Sequence, residues 1–167
     1  MQSKTKQMVI AALMAALTCV VTMLVKVPSP LKGYLNLGDC IVLVSGWILS
    51  PGYGFLAAGL GSMLADLFSA YAIYAPATFL IKGSMALIAH VVFKLLQGKI
   101  GRLPSQLIGA TFAEVIMIMG YFVFEGFLYG FVPSLVNIPA NAVQGTAGIV
   151  IGIILVKILE RVDLADT

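Results

Sequence analysis

Apolar residues fill this chain in blocks of about 12 to 24 positions, separated by short polar joints rich in proline and glycine. A membrane helix needs about 20 apolar residues. On that measure the blocks predict six helices, over about 8–25, 39–50, 53–70, 76–96, 106–129 and 138–159. The joints are read from "PSP" (Pro28–Pro30), "SPGYG" (Ser50–Gly54), "APAT" (Ala75–Thr78), "QGKIGRLP" (Gln97–Pro104) and "GFVPS" (Gly130–Ser134). Proline cannot donate to a helix ladder, and glycine ends helices at little cost. The second block is short for a crossing and reads as a short, tilted or partly re-entrant helix.

Composition decides what kind of helices these are. The chain is 60% hydrophobic and 10% charged, with a mean hydropathy of +1.05. Soluble domains carry roughly 25% charged residues. The expected fold is an all-α integral membrane protein, a bundle of six transmembrane helices in one domain over residues 1–167. No length remains for a soluble catalytic module, and a net charge of +3 is no nucleic-acid footprint. The basic residues instead set topology. Lys4, Lys6, Lys94, Lys99, Arg102, Lys157 and Arg161 fall on one side of six spans, and Lys26 and Lys32 on the other. Positive residues stay inside, so both termini are expected in the cytoplasm and the Lys26–Gly38 joint outside. The first block is expected to be retained, being long for a cleaved signal segment. Cys19 and Cys40 are expected to be free thiols in packed sites.

Candidate chemistry then narrows to the ionisable residues within the blocks, which are costly in lipid, usually face the bundle interior and often mark a site. Asp39, Asp66, Lys82 and Glu125 fall in the expected external half, and Glu114 and His90 in the cytoplasmic half. Asp39 is most simply explained as the N-cap of the second helix. Asp66 and Lys82 read either as ligand groups or as an ion pair between neighbouring helices. Asn137, Asn141 and Gln144 are spaced by four and three, so they share one face of the last helix. Tyr34, Tyr71, Tyr74, Tyr121 and Tyr129 lie mostly at the same end. Together these outline a polar, aromatic pocket just below the external surface, suited to a small planar molecule. Two sets of alanines, Ala11 with Ala15 and Ala12 with Ala16, recur at four in the first helix and form a flat face that another helix can approach.

Taken in order, these blocks resemble a known family. "AALMAA" after a short basic start, "YLNLGD" opening the second helix, "SPGYGFLAAGLGSMLADL" through the third and "APATFLIKG" opening the fourth are similar to S components. These are the substrate-binding subunits of energy-coupling factor (ECF) vitamin transporters, and the resemblance covers almost the whole chain. It implies a multi-pass protein of a prokaryotic plasma membrane that captures a water-soluble vitamin at its external face, closed over by the long first loop. It implies docking of Ala11, Ala12, Ala15 and Ala16 onto a membrane-embedded coupling subunit driven by two ABC ATPases. The ligand contacts it suggests are Tyr34, Asn36, Asp66, Tyr74, Lys82, Glu125, Asn137, Asn141 and Gln144. A site with both acids and a lysine suits a ligand with mixed donor and acceptor groups; the resemblance implies a pyridoxine-like or other small heterocyclic vitamin, with pantothenate and thiamine precursors as other candidates.

The chain has no G-x-x-x-x-G-K-[ST] phosphate loop, so ATP would be used by partner subunits, and no cofactor or metal of its own is expected. With one histidine and no HExxH or GxSxG, an enzyme is not expected. The alternative is a stand-alone secondary transporter or channel subunit, with Asp66, Lys82 and Glu114 as an ion path. Such proteins often carry internal repeats, and none is visible between residues 1–80 and 81–167.

Overall fold

The computed structural model describes residues 4–161. Six helices of 10 to 28 residues form the bundle: α1 (Lys4–Leu24), α2 (Asp39–Ile48), α3 (Pro51–Phe68), α4 (Ala75–Ile100), α5 (Arg102–Tyr129) and α7 (Asn137–Arg161). A single turn, α6 (Phe131–Ser134), precedes α7. The predicted blocks match these helices within a few residues, except that α4 and α5 reach further into the Gln97–Pro104 joint, which shrinks to Gly101. Among the described residues, α1, α4, α5 and the Phe131–Leu159 stretch are long and apolar enough to cross a membrane.

The joint starts are local chemistry. Ser50 is the N-cap of α3 and Pro51 its first residue, where a missing N–H costs nothing. Gly101, with φ +86°, takes the left-handed turn between α4 and α5 that a side chain would resist.

The first joint is not a plain loop. It folds into an antiparallel hairpin, β1 (Lys26–Pro28) with β2 (Tyr34–Asn36), in the register Lys26↔Asn36, Val27↔Leu35 and Pro28↔Tyr34. Its turn is closed by Ser29 N–H donating to Gly33 O (3.2 Å) and Ser29 Oγ to Lys32 O (2.8 Å).

The bundle has an apolar core with a minority of buried polar groups, and its outer surface is apolar as well. Leu13, Val20 and Leu24 on α1, Phe112 and Met119 on α5, and Val143, Val150 and Ile158 on α7 are exposed. Such a surface suits lipid rather than water. α2 is the exception: Asp39 through Trp47 are all buried. At about 1.5 Å per residue its 10 residues cover only about half of a core of about 30 Å, so they traverse the bundle only inside a jacket of longer helices. A helix apolar on every face belongs in the centre of a bundle, and there α2 packs against α3, α4 and α7.

Close approach depends on small residues. A methyl group on Gly46 of α2 would stand 2.5 Å from the Ala86 carbonyl oxygen of α4. Gly61 of α3 lies equally tight against the Ala15 backbone of α1. Gly46→Ala is therefore expected to cost about 1–3 kcal/mol, read as a lower thermal unfolding midpoint in detergent. An unchanged midpoint would mean that α2 and α4 can part without loss.

The α1 alanines divide. Ala11 is buried and Ala15 half-buried against α3, while Ala12 and Ala16 are exposed. The expectation of one four-alanine docking face is corrected on this point. Ala11 and Ala15 face the bundle itself, and the outward face is built on Ala12 and Ala16.

Candidate functional site

The site is assembled where the hairpin lies over the ends of α3, α4, α5 and α7. Each element contributes for a local reason. α7 opens with Asn137 and turns Asn137 and Gln144, seven residues and two turns apart, to the same side. Their amides do parallel work. Asn137 Oδ1 accepts Leu31 N–H (3.2 Å), and its Nδ2 donates to both Glu125 oxygens (2.9 Å each). Gln144 Oε1 accepts Asn36 N–H (2.9 Å), and its Nε2 donates to Asp39 Oδ2 (2.6 Å). Each amide thus ties a backbone N–H of the hairpin strand or turn to a buried carboxylate.

Two tyrosines complete the closure. Tyr34 on β2 donates to Asp66 Oδ1 on α3 (2.6 Å). Burial, and then the neighbouring Asp66 carboxylate, push the Tyr34 phenol up, so it stays protonated and remains a donor. Tyr74 lies within hydrogen-bond distance of Lys32 O (3.1 Å) and Glu125 Oε1 (3.3 Å). Tyr34, Tyr71 and Tyr74 form an aromatic run, with centroids 4.8 Å and 6.2 Å apart.

Under this cover lies a cavity of about 30 Å³, near the share of liquid volume that one water occupies. Tyr34, Asn36, Asp66, Tyr74, Glu125, Asn137, Asn141 and Gln144 line it. Eight of the nine residues singled out from the sequence therefore meet at one place. Lys82 does not. It sits deeper, ion-paired to Asp39 and 5.5 Å from the centroid of the Tyr121 ring.

Two expectations change with that pair. Asp39 is not the α2 cap: Gly38 occupies the N-cap position without a side-chain hydrogen bond, and Asp39 is fully buried as the first helical residue. The partner of Lys82 is Asp39 rather than Asp66. With Lys82 neutralised, the carboxylates facing the cavity are Asp66 and Glu125.

Not all of these groups are satisfied by the protein. Asp66 Oδ2 is buried with no hydrogen-bond partner. Asn141 lines the cavity half-buried between the two bridging amides. Ser29, Lys32, Gly33 and Thr78 also line it and were not picked out from the sequence. Thr78 carried a signal, lying one turn before Lys82 on the same face of α4. The hairpin turn carried none, because three-residue strands have no period to read. His90 and Glu114 lie away from the cavity. His90 Nδ1 is 2.9 Å from Gly46 O, while both Glu114 oxygens are buried without a partner beside Gly145 and Gly148.

Residues 2–161 match the model of the ECF-type riboflavin transporter S component family. The chain belongs to that family. It is also 34% identical over 143 residues to an uncharacterised protein of Pyrococcus woesei, covering 85% of this chain and 93% of that one. It is similar in fold to the solved S component of a bacterial ECF transporter, with a TM-score of 0.77 at 24% identity over 95% of this chain and 98% of the other. ECF-type S components are subunits of membrane transporters, working with membrane coupling and ATPase subunits, and they are not enzymes. The membrane fold and the binding-subunit role read from the ordered motifs are those of this family.

Proposed function

We propose that this chain captures a small, ring-bearing vitamin in the cavity under the β1–β2 hairpin and delivers it to an ECF coupling subunit served by two ABC ATPases. The observation that carries the reading is the closed hairpin above a cavity that keeps an unpartnered buried acceptor, Asp66 Oδ2. A buried polar group without a partner costs about 1–3 kcal/mol, and a ligand donor relieves that cost. The tyrosine run supplies faces for a planar ring. By the distribution of Lys and Arg, the cavity end faces outside and both termini face the cytoplasm of a prokaryotic plasma membrane.

Riboflavin is the first ligand to test, because the family is described by it. A smaller, pyridoxine-like ring is the second reading, since it would need less displacement of the hairpin than riboflavin. Either ligand must displace the hairpin. The charge balance narrows both: Lys82 is held by Asp39 and the lining Lys32 is exposed with its Nζ 5.6 Å from the Tyr129 ring centroid, so the buried charged groups of the cavity are acids and a neutral or cationic ring with N–H donors suits it better than a phosphorylated form.

Native mass spectrometry of the purified protein with each compound tests this directly. Retention of one vitamin, and not of its phosphate ester, is expected. Retention of neither vitamin sinks the reading, and transport by the purified chain alone in liposomes would favour a stand-alone transporter. Asn141→Ala should weaken binding of the retained compound by about 1–3 kcal/mol, measured by calorimetry. Unchanged affinity would remove Asn141 from the ligand contacts.

A further inference from the structure

At the opposite end of the bundle a second cavity, of about 230 Å³, opens between the start of α1, the α2–α3 joint and the second half of α4. Its polar lining consists of Gln7, Trp47, Ser50, His90 and Lys94, with no carboxylate among the lining residues. The lining is rich in donors. Trp47 is 5% exposed, yet its Nε1–H, which can only donate, has no partner. Gln7 Oε1 accepts Ser50 N–H (3.1 Å), and the Gln7 amide hydrogens remain to donate. Ser50 caps α3 by position without a side-chain hydrogen bond, so its hydroxyl is also uncommitted. His90 is anchored at the wall through Nδ1 and Gly46 O. Lys94 brings a positive charge to the rim, next to the start of an 18-residue helix whose dipole also favours an anion.

We infer that this cavity is a site for a phosphate group, that of an anionic phospholipid in the adjacent leaflet. The unpartnered indole N–H is the deciding feature, since a buried donor needs an acceptor and the lining offers no acid. Its position at a helix end, far from the vitamin cavity, puts it near the headgroups. Anionic headgroups draw basic residues at that surface. The site is independent of which vitamin the other end takes.

Trp47 is the single tryptophan of the chain, so its fluorescence reports on the site without a label. The full chain is purified into nanodiscs of phosphatidylcholine, alone or doped with phosphatidylglycerol, and inorganic phosphate is titrated separately. A saturable change in Trp47 emission with phosphatidylglycerol is expected, with Lys94→Ala weakening it about tenfold, as for one lost charge-assisted hydrogen bond. Vitamin binding at the far end should be unaltered in Lys94→Ala. A response to inorganic phosphate but not to phosphatidylglycerol keeps the phosphate site and overturns the lipid source. No saturable response to either, or one that Lys94→Ala leaves unchanged, overturns the site.

Discussion

Lys82→Met should lower the stability of the protein by about 3–5 kcal/mol, the largest loss expected from any single change in the cavity region. Lys82 and Asp39 are both buried and form an ion pair, and Gln144 Nε2 adds a hydrogen bond to the other Asp39 oxygen at 2.6 Å. Removing the cation leaves a buried carboxylate with one neutral donor. The environment worsens the loss, because Gly148 brings Asp39 and Glu114 to one spot on α7 and neither Glu114 oxygen has a partner. The pair itself is worth much less than the cost of breaking it, since both ions were desolvated to make it. Asp39→Asn combined with Lys82→Met should therefore recover most of the loss. The check is a double-mutant cycle on thermal unfolding midpoints in detergent. If the double variant is no more stable than Lys82→Met alone, the pair does not account for the cost.

That pair also marks the limit of what the sequence carries. The helices were legible because most are long apolar runs separated by joints that carry proline or glycine, and those signals are local. The members of the cavity were legible because polar residues in apolar runs are rare and share one end. Pairing among them was not. Lys82 had several acids within plausible reach, and only the packing of α2 against α4 and α7 selects Asp39. The cap reading of Asp39 followed from its place at a helix start, which is correct; its full burial and its pairing with Lys82 were not visible in that signal. A clue existed: a 10-residue block apolar on every face is too short to span lipid by itself and must be surrounded by longer helices. The hairpin was hidden for a different reason: its two three-residue strands are too short to show a pattern, and it is held in place by hydrogen bonds that Leu31 N–H of the turn and Asn36 N–H of β2 donate to Asn137 and Gln144. The α1 alanines show a third limit. Two interleaved sets at a spacing of four are equivalent in sequence, and only contact with Gly61 identifies the set that faces inward.

The outward set carries the second large effect. Ala16→Trp, or Ala12→Trp, should reduce uptake by the assembled transporter to background while leaving vitamin affinity unchanged. Both alanines are exposed, so a large side chain points away from the rest of the chain, and neither alanine lines the cavity. A helix docking onto small residues approaches to backbone distance, and an indole in that seam holds the partner away. Ala11→Trp is the contrast. Ala11 is 8% exposed and belongs to the core, so the same substitution one position earlier should impair folding before it impairs docking. Measuring ligand binding by calorimetry and uptake in vesicles that contain the coupling module separates these outcomes. Loss of binding in Ala16→Trp would mean that this face is internal packing, and full uptake would mean that the coupling subunit meets the chain elsewhere. The comparison has force because the two substitutions differ by chemistry in neither residue, only in which side of α1 they occupy.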